Sequence, residues 1–244
     1  FLIFFSLVPL LLIETDVVKK KISSKTYFYY SYFTFFIFNL TTTFWIKNAH
    51  LGGAVFAILC NAFFMALVFY LYSKIKNNIK LKTTIFLLPI LWIGFEYLHL
   101  NWDLSWPWLV LGNVFSSSTD WVQWYSYTGV LGGTLWILLS NLLIVRLCKL
   151  NYFESKFRYY LITILGLIII PIFISNFIYK SYLDFFDSYK NFNRKINVLI
   201  VQPNINPYTD KFSVNQKIQT NTVLDLIKPH ITDDLHFLIL PETF

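Results

Sequence analysis

Residues 52–72 read GGAVFAILCNAFFMALVFYLY, an apolar run without one charged side chain, and SKIK follows at once. A hydrocarbon core about 30 Å thick takes roughly 20 apolar residues in helix. The run meets that length, and two lysines close it. Four further stretches have similar character: residues 27–46, 84–100, 127–147 and 159–179. Residues 1–13 make a shorter apolar run, read as the tail of a truncated span, so the sequence predicts about six spans. Pro89 and Pro171 fall inside two of them. Neither vetoes a span, because neighbouring helices can satisfy the freed carbonyls.

Composition agrees. The hydrophobic fraction is 56%, the aromatic fraction 20% and the charged fraction 14%. Soluble domains carry about 25% charged residues, so this protein cannot cover a water-facing surface throughout. The net charge of +7 does not point to nucleic acid, because the basic residues sit in short clusters between apolar runs. Residues 19–25, 74–82 and 146–158 hold those clusters, whereas Lys47 stands alone in one alternate loop and residues 101–126 contain no Lys or Arg. Basic loops stay in the cytoplasm, which places everything after residue 179 on the extracytoplasmic side. The opening run has no basic n-region and no small-residue cleavage site, so it is not read as a signal peptide. The sequence is read as a piece of a longer protein.

Five of the eight tryptophans fall in residues 101–126: Trp102, Trp106, Trp108, Trp121 and Trp124. They suit either an interfacial belt or a partly embedded loop at a lipid entry point. Glu96 and His99, three residues apart, share a helix face near the outer end of a span. Ionisable groups at such depth face a partner or a cavity, so an interhelical hydrogen bond and a ligand role both stay open. Asn39, Asn61 and Asn141 suit helix–helix hydrogen bonding. Gly129 to Gly133 suits close packing. Cys60 and Cys148 show neither metal spacing nor a disulfide framework, and no phosphate-binding loop appears.

Residues 180–195 read as a linker, with Lys190, Arg194 and Lys195 solvated. Residues 196–202 (INVLIVQ) and 236–240 (HFLIL) then read as buried-type strands. Residues 214–227 form an amphipathic helix between them, with Ile218, Val223, Leu224 and Ile227 on its apolar stripe. Strand, helix, strand opens an α/β domain with parallel strands, over residues 196–244. Such a unit cannot bury both faces of its sheet. Glu242 follows the second strand, where open α/β sheets place their ligand sites. A carboxylate there serves as a general base if burial raises its pKa; otherwise it is a surface or capping group.

Two groups of motifs add a resemblance. Phe95-Glu96-Tyr97-Leu98 with Ser105-Trp106-Pro107-Trp108-Leu109-Val110-Leu111-Gly112-Asn113, then residues 129–141 (GVLGGTLWILLSN), resemble the membrane segments of apolipoprotein N-acyltransferases. Residues 198–205 (VLIVQPNI) and Leu240-Pro241-Glu242-Thr243 resemble the first landmarks of that family's carbon–nitrogen hydrolase (nitrilase-like) domain. The resemblance implies a polytopic helical membrane domain over residues 1–179, these six spans being the second to seventh of eight, followed by the start of an extracytoplasmic nitrilase-like αββα domain. It implies a bacterial inner-membrane enzyme that moves an acyl chain from a phospholipid to a diacylglyceryl apolipoprotein, with no cofactor and no metal.

A Glu–Lys–Cys triad carries that chemistry in the family. By resemblance Glu242 is the general base, and Trp106, Trp108, Glu96 and Phe212 line the substrate. The lysine and the nucleophilic cysteine match nothing within residues 1–244, so this stretch by itself is expected to be inactive. Cys60 lies inside a span and Cys148 on the opposite side from Glu242. Phe212 stands where the family's pattern has tryptophan, and Phe244 where alanine is usual. The rival readings are a membrane-anchored nitrilase-like amidase, another acyltransferase, and a transporter or sensor with an outer tail.

Overall fold

The computed structural model describes residues 2–78, 84–189, 196–206, 209–211 and 213–241. The protein divides into two compact units, residues 1–184 and 185–244. Six α-helices make the first: α1 (Val8–Val18), α2 (Ser24–Thr43), α3 (Leu51–Asn78), α4 (Leu87–Leu100), α5 (Tyr125–Leu147) and α6 (Ser155–Tyr189), the last five residues of which belong to the second unit. Local chemistry sets several of their ends. The Ser23 hydroxyl accepts the Thr26 amide at 3.0 Å and starts α2. His50 Nδ1 accepts the Gly53 amide at 2.9 Å at the start of α3.

Three of these helices, α3, α5 and α6, are long and apolar enough to cross a membrane. That is fewer than the six spans expected, and the reasons differ. At 1.5 Å per residue, α1 covers only about 17 Å and α4 about 21 Å, both short of about 30 Å. The expected span over residues 84–100 contains a 3₁₀ turn, Thr84–Phe86, before α4 begins. Helix α2 has 20 residues but is rich in hydroxyls. Ser31, Thr34 and Thr43 return those hydroxyls to the carbonyls of Tyr27, Tyr30 and Asn39 at 2.9, 2.8 and 2.6 Å, so they are satisfied within the helix.

Boundaries move as well. Helix α1 does not stop at residue 13. It continues through Glu14 and Asp16 to Val18, because Glu14 is buried with its Oε2 2.5 Å from Lys76 Nζ on α3. Helix α6 extends well beyond 159–179 in both directions.

The core of this unit is aromatic. Trp92 of α4 is fully buried and meets Phe69 of α3 edge-on, with centroids 5.6 Å apart, and Phe35 of α2 at 5.5 Å. The polar residues inside act as ties. Asn61 Nδ2 donates to Asn39 Oδ1 at 2.6 Å, joining α3 to α2. Asn141 on α5 accepts the Leu7 amide and donates to the Ile3 carbonyl, both at 2.9 Å, and so fastens the start of α1. Trp136 Nε1 donates to the Leu167 carbonyl at 2.6 Å, linking α5 to α6. Lys19, Lys76 and Lys149, one from each basic cluster, line one cavity. These three lysines thus meet at one end of the bundle.

Residues 101–124 are not a simple belt. They form short 3₁₀ turns at Pro107–Leu109, Leu111–Phe115 and Thr119–Trp121, and Phe115 enters the core against Phe4 and Trp136, with centroids 5.7 and 5.1 Å away. Trp121 and Trp124 pack on that core, whereas Trp102 and Trp108 are exposed. Four of the five tryptophans thus divide between packing on the core and exposure, and Trp106 is intermediate.

In the second unit, β1 (Asn197–Ile200) pairs in parallel with β2 (Leu235–Ile239), and α7 (Gln216–Ile227) lies between them in sequence. The parallel pairing follows the strand–helix–strand reading. The stripe on α7 differs from the expected one: Gln219, Val223 and Ile227 are buried, while Ile218 and Leu224 are exposed. Spacing of four places those three on one face. Gln219 belongs there because its amide donates to the carbonyls of Lys211 and Val214 at 3.0 and 2.9 Å, pinning the approach to the helix. Val223 and Ile227 pack with Val201, Leu199 and Leu240.

Candidate functional site

One face of α4 repeats at positions 92, 96 and 99, all buried. Intervals of four and three residues put Trp92, Glu96 and His99 in line, so one helix delivers an indole, a carboxylate and an imidazole to the bundle interior. Their partners lie on three other segments.

Glu96 is 3% exposed and receives three hydrogen bonds. Trp92 Nε1 and the Leu111 amide donate to Oε1 at 2.8 and 2.9 Å, and the Thr134 hydroxyl donates to Oε2 at 2.7 Å. Thr134 Oγ1 in turn accepts the Gly112 amide at 3.1 Å, and the Tyr125 hydroxyl donates to the Gly112 carbonyl at 3.0 Å. Glu96 therefore clamps the Leu111–Gly112 backbone between α4 and α5. Position 112 must be glycine, because a Cβ there would overlap the Val130 carbonyl oxygen. Gly133 gives the Tyr125 ring its space in the same way. Among the described residues no cation pairs with Glu96; donors alone hold it.

His99 Nε2 is 3.1 Å from Asn61 Oδ1, which extends the Asn61–Asn39 tie into a polar line across α4, α3 and α2. The imidazole stacks on Phe95, with centroids 5.1 Å apart, and meets Trp102 at 5.2 Å. Beside it lies a cavity of about 280 Å³ lined by Cys60, Asn61, Phe64, His99, Trp102 and Trp106 among others. A second cavity, of about 550 Å³, runs between α3 and α4 past Val68, Leu71, Leu91 and Phe95. The two share Phe64, His99 and Trp102, so a chamber that carries the Asn61 and His99 polar groups and an apolar groove have a common wall. That pairing suits an amphiphile with a polar head and an alkyl chain.

Trp106 and Trp108 meet edge-on with centroids 4.9 Å apart but serve different spaces. Trp106 lines the chamber beside His99, and its Nε1 is buried without a hydrogen-bond acceptor. Trp108 faces Trp45, at 5.8 Å, in a third cavity with Leu109 and Asn113. Glu96 lines none of these three cavities. Cys60, read only as a residue within a span, stands in the chamber wall. The helix–helix hydrogen bonding read for Asn61 is present as its tie to Asn39, but the roles of Phe64 and Thr134 are not legible in sequence: each looks like an ordinary residue of an apolar run, and its partner lies on another segment. Glu242 and Phe212 lie outside the described residues, as does Phe244. The described residues end at Pro241, just after β2 and one position before Glu242.

The profile of the apolipoprotein N-acyltransferase N-terminal domain matches residues 1–143. The sequence is also 23% identical, over 219 residues, to an apolipoprotein N-acyltransferase of Chlorobaculum tepidum; the match covers 89% of this chain and 40% of that protein. This chain therefore spans well under half the length of that relative. No solved structure matches it significantly. The chain belongs to the apolipoprotein N-acyltransferase family, through the membrane-embedded N-terminal domain.

Proposed function

We propose that these residues are the membrane part, with the opening of the hydrolase domain, of an enzyme that transfers an acyl chain from a phospholipid to the N-terminal amine of a diacylglyceryl-cysteine apolipoprotein. The observation that carries this reading is the family match over residues 1–143, which contains the clamped Trp106-Pro107-Trp108 segment and its two adjoining cavities. In this reading the α3–α4 groove accepts an alkyl chain, and Trp106 offers its indole N–H to an oxygen of the lipid head or ester. Trp108 borders the route to it. Glu96 holds the segment in place, and Phe212 adds apolar contact to the substrate.

The chemistry follows covalent two-step logic. Glu242, just beyond β2, takes the proton of a cysteine thiol. The thiolate attacks the phospholipid acyl ester, and the lysophospholipid alkoxide leaves with the proton held by Glu242 as a thioester forms. The acceptor's free α-amine then attacks the thioester, gives up its proton to Glu242, forms the amide and releases the thiolate, which that proton restores to the thiol. A thiolate suits the first step because even a small fraction is strongly nucleophilic. In this reading the cysteine, and the lysine that supports the oxyanion, follow residue 244 in the longer protein. The parallel β1–α7–β2 unit supports an α/β, nitrilase-like domain over residues 196–244; the linker expected at 180–195 is helical as far as Tyr189, where α6 ends.

The meeting of Lys19, Lys76 and Lys149 at one end of the bundle supports a cytoplasmic face there. By the alternation of basic loops along the sequence, the residues after 179 then lie on the periplasmic side of an inner membrane. Glu242→Gln in the full-length protein abolishes thioester formation with phospholipid, read by mass spectrometry of the intact enzyme. Undiminished acyl-enzyme would remove Glu242 from the mechanism. A thiol-reactive probe applied to Ser213→Cys tests the orientation: labelling only from the cytoplasmic side reverses it.

A further inference from the structure

At the opposite end from the tryptophan segment, three parts of the sequence far apart from one another build a second pocket. Lys19 closes α1, Lys76 lies in the last turn of α3, and Lys149 follows α5. With Leu12, Thr15 and Val18 they line a cavity of about 300 Å³. Lys76 is neutralised by buried Glu14, 2.5 Å away, and its ammonium also donates to the Tyr72 hydroxyl at 3.3 Å. Lys19 and Lys149 have no carboxylate partner among the described residues. Partial burial pulls the Lys149 ammonium below the usual lysine range, and the neighbouring Lys76, Lys19 and Arg146 cations push the same way against Glu14. Three lysines thus line a space with aliphatic walls, and of them only Lys76 has a carboxylate beside it. Repulsion of this kind is relieved by a bound anion.

We infer that this pocket holds the phosphodiester head of an anionic phospholipid, with Lys19 and Lys149 donating to its phosphate oxygens and Leu12 and Val18 against its first methylenes. Lysine acts on a phosphate as a compact point charge, and basic pockets between membrane helices are where anionic headgroups settle. The aliphatic wall distinguishes a lipid from free phosphate, which gains nothing from Leu12 or Val18. The inference is independent of the acyl-transfer reading, since no residue of the tryptophan segment takes part.

The test uses the protein in detergent, stripped of lipid, with native mass spectrometry as the readout. Titration with dioleoyl phosphatidylglycerol gives one saturable site, at least about tenfold tighter than the phosphatidylcholine of equal chain length. Replacing Lys19→Gln together with Lys149→Gln weakens that site by about tenfold, at roughly a factor of several per lysine. Both side chains are exposed, so the pair is removed without leaving a buried group unpaired, and an unchanged melting temperature verifies the fold. Lys25→Gln with Lys156→Gln removes equal charge outside the pocket and leaves binding within about twofold. Equal loss in that control pair would overturn the inference in favour of diffuse surface attraction. So would equal affinity for the two lipids. Displacement of the lipid by inorganic phosphate at equal concentration would show a free-anion site and overturn it too.

Discussion

The two units expose apolar side chains to similar degrees, and for opposite reasons. In the first, Phe173 and Phe177 on α6 are 72% and 78% exposed while Asn39, Ser140 and Asn141 are fully buried. Hydrogen-bonded polar ties set within an aromatic and aliphatic core, with large apolar side chains outside, suit a bundle whose solvent is lipid, where interhelical hydrogen bonds add to packing as the source of cohesion. In the second, Ile200 and Phe237 are 73% and 58% exposed, yet the interior is the ordinary apolar one of Val201, Val223 and Ile227. A two-stranded parallel sheet with one helix has a face left over, and parallel sheets are covered on both faces. Exposure alone therefore does not distinguish a lipid-facing surface from an unfinished one. The character of what is buried does.

That contrast is clear at Glu96, a buried carboxylate that receives three hydrogen bonds. Glu96→Ala strands the Trp92 indole, the Leu111 amide and the Thr134 hydroxyl, at about 1–3 kcal/mol for each buried donor left unmade. The expected loss is about 4 kcal/mol, with the tryptophan segment released, read as a lower unfolding midpoint in detergent and faster proteolysis between residues 101 and 124. Glu96→Gln keeps an acceptor oxygen and loses less than half as much. Equal losses would mean the charge, rather than the clamp, matters.

The Glu14–Lys76 pair comes next. Removing one partner of a buried pair costs about 3–5 kcal/mol, whereas replacing both with apolar residues is often neutral. Lys76 reaches the end of the bundle and is partly exposed, so the figure falls at the low end. Glu14→Leu with Lys76→Met should thus lose much less than Lys76→Met alone, measured as a double-mutant cycle on thermal unfolding. Additive losses would show that the two side chains act separately. Asn61→Leu follows, at about 1 kcal/mol, the scale of interhelical hydrogen bonds in membranes, with Asn39→Leu adding almost nothing to it.

These residues also mark what sequence can and cannot reveal. The runs at 52–72 and 127–147 are legible because length and hydropathy are local properties, and the parallel strands because β-branched runs flank an amphipathic helix. Glu14 is not legible: a carboxylate ends an apolar run in any local reading, and the lysine that lets α1 continue lies 62 residues away. The α7 stripe departs from its expected pattern for a similar reason, since Gln219 is buried by backbone carbonyls that precede the helix. At the candidate site, the Pro-Trp-Leu segment is visible as a motif. That Glu96 fastens it rather than lining its cavity depends on three donors from three segments.

The smallest expected effect decides what the second unit is. Ile200→Ser and Phe237→Ser change side chains that are already exposed, so in residues 1–244 each shifts stability by no more than about 0.5 kcal/mol. If further layers cover the sheet in the longer protein, the same substitutions put a hydroxyl into an apolar interface and remove a buried side chain, at about 2 kcal/mol or more each. Comparing the pair in the shorter and the longer protein, by denaturant or thermal unfolding, isolates the covering from the fold itself. No effect in either would leave these residues facing solvent or lipid in the whole protein. The second unit would then resemble the first in how its apolar surface is used, and the α/β hydrolase reading of residues 196–244 would lose its physical basis.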